Sequence, residues 1–180
     1  MAQGVSLHVG LNRVDPERYN GWDGALAGCE NDAVAMKEIA DGCGYSSTIL
    51  LSDQATSAAL IEGIGAAAQQ LSRGDYFLLT FSGHGGQVDD VNGDEVDGKD
   101  DTWVLFDRMV VDDELYSLWS QFAAGVRIFV LSDSCHSGAV LKELVTAIHS
   151  ALTRAYGVSS APRIKRIPND VSDKVALPAF

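Results

Sequence analysis

The chain has 180 residues, 46 % of them hydrophobic, which suits one domain with a sizeable core. Its net charge of -12 argues against nucleic acid as a partner, because phosphates need a basic face. No apolar run approaches the ~18 residues of a membrane helix, and the start "MAQGVSLHVGLN" lacks the basic and apolar regions of a signal peptide, so a cytoplasmic protein with no membrane partner is expected. The three cysteines, Cys29, Cys43 and Cys135, form no CxxC pair, which argues against a disulfide framework or a zinc knuckle.

Taken in order, 4–11 alternates and reads as a strand, and 12–27 reads as a Gly/Asn/Asp-rich loop. Ala33, Met36, Ile39 and Ala40 fall at helical spacing in the segment that opens at Cys29. A short strand at 47–51 precedes a helix over 56–74, capped by Thr56. "DYFLLTF", 75–81, is a continuous apolar run, as for a strand covered on both faces. An acidic loop follows: Asp89 to Asp101 holds seven acids and one lysine, net -6. A strand at 102–106, a helix at 112–123 opened by two acids, a buried strand at 126–132 and an amphipathic helix at 138–157 complete the pattern. Strands alternating with helices predict an α/β fold with a mostly parallel sheet. In such sheets function gathers at the carboxyl ends of the strands.

Two of those ends carry chemistry. "FSGHGG" follows the strand at 75–81 and "SDSCHSG" follows the strand at 126–132. A cysteine where a strand gives way to a helix has a lowered thiol pKa and is a competent nucleophile beside a base. Glycines flanking His84 let the backbone turn and let a substrate approach. The separation of His84 and Cys135, 135 − 84 = 51, matches the spacing of about 50 between histidine and cysteine in caspases, although the local caspase signature is absent. His136 is a rival base, but neighbouring side chains in an extended link point apart.

With "GCENDA" (28–33) and "VDDEL" (111–115), these motifs resemble the metacaspase and bacterial orthocaspase branch of the caspase-like cysteine peptidases, over about residues 4 to 150. The resemblance implies a three-layer caspase-like fold with helices on both faces of the sheet. Residues 1–157 would be the catalytic large-subunit domain and 158–180 a linker toward a small subunit whose strands this chain lacks. It implies a cysteine endopeptidase that cuts after Arg or Lys. Cys135 is its nucleophile, His84 its base, and the N–H groups of Gly85 and Cys135 hold the oxyanion. Asp32 and Asp133 would pair with the cationic side chain, with Ser82 and Cys29 at other pocket positions.

The chemistry needs no cofactor, but many relatives need calcium. Asp90, Asn92 and Asp94 mimic the start of an EF-hand loop, yet Glu95 stands where that loop needs Gly. The resemblance instead implies a site from Asp100 or Asp101 with Asp112 and Asp113, although Lys142 occupies one of its acidic positions. Arg163, Lys165 and Arg166 are either part of a solvated linker or a self-cleavage site, since they present the residues an acidic pocket accepts. Expected partners are peptides or proteins with Arg or Lys before the cut, and a separate small subunit. The alternative is a catalytically silent module that regulates, binds or senses calcium.

Overall fold

The computed structural model describes residues 2–89 and 98–134. Cys135, the helix expected at 138–157 and the basic run Arg163, Lys165 and Arg166 lie outside the described residues. The elements run β1 (Gly4–Gly10), α1 (Cys29–Gly42), β2 (Ser46–Leu51), a 3-10 turn (Ser52–Gln54), α2 (Ser57–Gln70), β3 (Tyr76–Ser82), β4 (Gly85–Asp89), β5 (Lys99–Val104), β6 (Met109–Val111), α3 (Asp112–Trp119) and β7 (Arg127–Asp133). β2, β1, β3 and β7 form a parallel sheet in that order, as expected.

The period-2 pattern of β1 sends its residues to two different layers. Leu7 and Val9 join Leu60 and Ile64 of α2, Leu115 and Leu118 of α3, and Phe77, Leu79 and Phe81 of β3 in the main core. Ser6, His8 and Gly10 face α1. A Cβ on Gly10 would lie 2.3 Å from the Cys29 carbonyl oxygen, so only glycine lets the helix come this close. Helices thus cover both faces of the sheet. α2 is capped as anticipated: Thr56 Oγ1 accepts the Ala59 N–H at 3.2 Å. From further along the chain, Asp107 accepts the Ser57 N–H at 2.7 Å.

The second sheet differs from expectation. β4, β5 and β6 pair antiparallel beside the parallel sheet, where the sequence pattern suggests a loop and one strand. "GGQVD" has too few β-formers to announce β4, and tertiary pairing supplies what propensity lacks. The expected strand at 102–106 is shifted to Lys99–Val104, so Asp100 and Asp101 stand in β5 opposite Val88 and Gln87. Phe81 joins the two sheets: its ring stacks on Trp103 at 4.5 Å and 5°. Trp103 also donates its indole N–H to Ser132 Oγ of β7 at 3.0 Å.

β7 is an edge strand among the described residues. Ile128 and Val130 pack against the main core. The alternate residues Phe129 and Leu131 are 56 % and 51 % exposed.

Candidate active site

His84 sits just past the end of β3 and is buried. Its Nε2 lies 3.1 Å from the Gly24 carbonyl oxygen. A carbonyl only accepts, so Nε2 carries the proton, and in the neutral ring Nδ1 is the basic nitrogen. The ring rests on Trp22 at 4.8 Å between centroids, and Trp22 packs edge-on against Tyr19. Tyr19 is pinned by its hydroxyl, which donates to the Leu105 carbonyl at 2.7 Å. Burial there holds the phenol proton, raising its pKa further above the ordinary value.

One rung of the parallel ladder organises the site. Ser82, the last residue of β3, is paired with Asp133, the last of β7. His84 stands two residues beyond Ser82, and Cys135 stands two beyond Asp133. The Gly83 N–H donates to the Asp133 carbonyl at 3.3 Å, so the two chains leave the sheet side by side. Cys135 itself lies just past the described Ser134.

Gly85 opens β4. The Val104 N–H donates to the His84 carbonyl at 3.0 Å, which makes His84 and Val104 a hydrogen-bonded pair. Bonded and non-bonded pairs alternate in an antiparallel ladder, so Gly85, opposite Trp103, directs its N–H away from β5.

Next to this rung lies a cavity of about 230 Å³ between the first turns of α1 and the ends of β3 and β7. Asp32, Thr80, Ser82 and Asp133 are its polar lining, with Met36 and Leu131 among its apolar walls. Ser82 Oγ donates to Asp32 Oδ2 at 2.8 Å. The helix start that carries Asp32 is held by Asn12, whose Oδ1 accepts the Cys29 N–H at 3.0 Å. Ser52 braces the same turn by donating to Glu30. The structure therefore brings Asp32, Ser82 and Asp133 together. Cys29 is buried at the base of α1 and does not line this cavity.

The acids expected to hold calcium are crowded. Asp100, Asp101 and Asp112 are buried, and the Asp112 carboxyl is pushed up to about 6, first by burial and then by the charges of Asp100 and Asp101. Gln87 Nε2 donates to Asp101 Oδ1 at 3.0 Å. Among the described residues, no three His, Cys, Asp or Glu side chains form a group that could hold a metal ion.

Trp22, Gly24, Asn12 and Thr80 escape sequence reasoning. The Gly24 contribution is a backbone carbonyl, which has no side-chain signature. Asn12 and Thr80 act across 17 and 72 residues, on Cys29 and His8 respectively.

A model of the metacaspase peptidase C14 domain matches residues 6–144. Metacaspase-1 of Saccharomyces cerevisiae is 36 % identical over 151 residues, covering 76 % of this chain and 34 % of that protein. Metacaspase-1B of Aspergillus oryzae is 33 % identical over 151 residues, covering 76 % and 35 %. A crystal structure of a protein from Geobacter sulfurreducens superposes with a TM-score of 0.77 at 46 % identity, covering 96 % of this chain and 60 % of that one. The chain thus spans about a third of the length of the curated relatives it matches. A histidine two residues past the Ser82–Asp133 rung, a two-acid cavity beside that rung and these matches lead to one conclusion: the chain belongs to the metacaspase family of the peptidase C14 domain.

Proposed function

We propose that this chain is the catalytic part of a cysteine endopeptidase that cuts after Arg or Lys. The reading rests on the Ser82–Asp133 rung beside the acidic cavity, from which His84 and, in the sequence, Cys135 each lie two residues on. The Cys135 thiolate attacks the scissile carbonyl carbon. The oxyanion is received by the N–H groups of Gly85 and Cys135. His84 passes a proton to the leaving amine, and water, deprotonated by His84, then releases the acyl group from sulfur. Asp32 and Asp133 receive the cationic side chain and repel an acidic one. Fluorogenic substrates with Arg, Lys or Asp before the cut test this. Turnover of Arg and Lys only, abolished by Cys135→Ala, is expected; turnover of the Asp substrate, or activity that survives the cysteine change, overturns it.

No cofactor enters these steps. We assign calcium a regulatory place only: it would draw Asp100, Asp101, Asp112 and Asp113 together and relieve the repulsion around Asp112. Arg163, Lys165 and Arg166 would be cut by the enzyme itself. A mature chain with no cut between Ala161 and Asn169, by mass spectrometry, removes that part of the reading. The expected setting is cytoplasmic; among the described residues no helix is long and apolar enough to cross a membrane.

A second reading, a silent regulatory or interaction module, is favoured by the exposed Phe129 and Leu131 on β7, an edge strand among the described residues. A separate small subunit would pair with that edge. Arginine-substrate turnover by this chain alone excludes the silent form.

A further inference from the structure

A line of hydrogen bonds runs under the cavity from Thr80 to the surface. His8 is fully buried in the middle of the sheet, with Nδ1 2.9 Å from Thr80 Oγ1 and Nε2 2.9 Å from Ser6 Oγ. Ser6 Oγ donates to Ser47 Oγ at 2.8 Å.

The directions follow from the far end. The Ser6 proton goes to Ser47, so Ser6 Oγ must accept from His8 Nε2. Burial lowers the His8 pKa to about 4, with Asp41 raising it and Lys37 lowering it by smaller amounts, so the ring is neutral and Nδ1 bears no proton. Nδ1 therefore accepts the proton of Thr80. A hydroxyl has one proton. That of Thr80 is committed to His8, and that of Ser82 to Asp32. None of the four polar side chains lining the cavity then offers it a donor.

The geometry points to His8 as a positioning residue that, by taking the Thr80 proton, makes the cavity floor accept hydrogen bonds only and so favours a guanidinium over an ammonium guest. A guanidinium brings five N–H groups in a fixed fork, an ammonium three on one point, so an added acceptor rewards the former more. The inference rests on the reading that this cavity takes the cationic side chain.

Two measurements test it separately. The first is 15N NMR of the His8 ring in the full chain, which reads the tautomer without any activity. Protonation at Nε2 at neutral pH is expected; protonation at Nδ1 overturns the inference. The second is kinetics on matched Arg, Lys and citrulline substrates. Thr80→Val, which keeps the shape and removes the oxygen, should raise KM for Arg by about 3- to 10-fold, the worth of one hydrogen bond, and lower the Arg-to-Lys preference, with kcat little changed. Ser47→Ala, outside the cavity, should lower the same preference by less. His8→Asn, whose Oδ1 can replace Nδ1 as acceptor, should restore preference relative to His8→Phe. An unchanged Arg-to-Lys ratio in both Thr80→Val and His8→Phe sinks the relay while Asp133→Asn still harms Arg turnover. If the wild type instead cuts citrulline as well as Arg, the cationic cavity itself is wrong.

Discussion

The imidazole of His84 donates from Nε2 to the carbonyl of Gly24, 60 residues earlier in the chain, at 3.1 Å. A carbonyl only accepts, so this bond fixes the tautomer that leaves Nδ1 basic. Replacing His84 by Ala should lower kcat by ~10²–10⁴-fold, the range of a general acid–base group. Trp22→Ala leaves the chemistry in place but unseats the ring, and a loss of up to about 10²-fold in kcat with little change in KM is expected. Steady-state kinetics on an arginine substrate measure both.

Asp133 and Asp32 should separate from these in the kinetics. Asp133→Asn removes one charged acceptor, worth ~1.5–3 kcal/mol, so KM for an arginine substrate should rise by about 10- to 100-fold. Asp32→Asn should act similarly and also release the Ser82 hydroxyl from its carboxylate partner. An Asp substrate that gains turnover in the double variant would confirm that charge rejection was the barrier.

Gly10→Ala probes the seating of α1. The added methyl meets the Cys29 carbonyl at 2.3 Å and the Ala33 Cβ at 2.8 Å, and neither can yield without moving the helix. A loss of about 1–3 kcal/mol, typical of overpacking, is expected in denaturant unfolding. Because α1 carries Asp32, KM for cationic substrates should worsen in the same variant.

Two buried groups give opposing responses to acid. Between pH 6.5 and about 4 the unfolded chain protonates His8 while the folded chain does not, so this group costs stability as pH falls. Asp112 is the reverse. Its folded pKa of about 6 lies above the ordinary 3.8, so the folded chain holds the extra proton and stability rises as pH falls from about 6 to 4. The shifts are similar in size and largely cancel in the wild type. Thermal unfolding of Asp112→Asn should therefore show a Tm that falls toward pH 4, and His8→Asn a Tm that rises, relative to a flatter wild type.

Phe81→Ala tests the joint between the sheets. It removes the ring stacked on Trp103 and should cost about 3–5 kcal/mol in urea unfolding. Trp103→Phe keeps an aromatic face and loses the bond to Ser132, so a loss of about 1 kcal/mol is expected.

The parallel sheet was legible because its strands are apolar runs separated by helical periods, and β3 reads this way across its whole length. β4 and β6 were not, since a strand of two glycines, Gln, Val and Asp and one of three residues carry little local signal. His84 stood out by its glycines, and Asp32, Ser82 and Asp133 by their motifs. What the motifs could not convey was support from afar: the Gly24 oxygen, the Asn12 amide and the His8 chain act through folding, not proximity in sequence. His8 itself reads as structural until its two nitrogens are seen bridging Ser6 and Thr80.

The shared rung at Ser82 and Asp133 makes segment length, more than residue identity, the fragile quantity here. One extra amino acid inserted between Ser82 and His84 would turn the imidazole to the opposite side of its ribbon, however conservative the insertion. Engineers grafting new specificities onto this scaffold can vary cavity walls such as Met36 and Leu131, but must count the spacers on both ribbons and leave them unaltered.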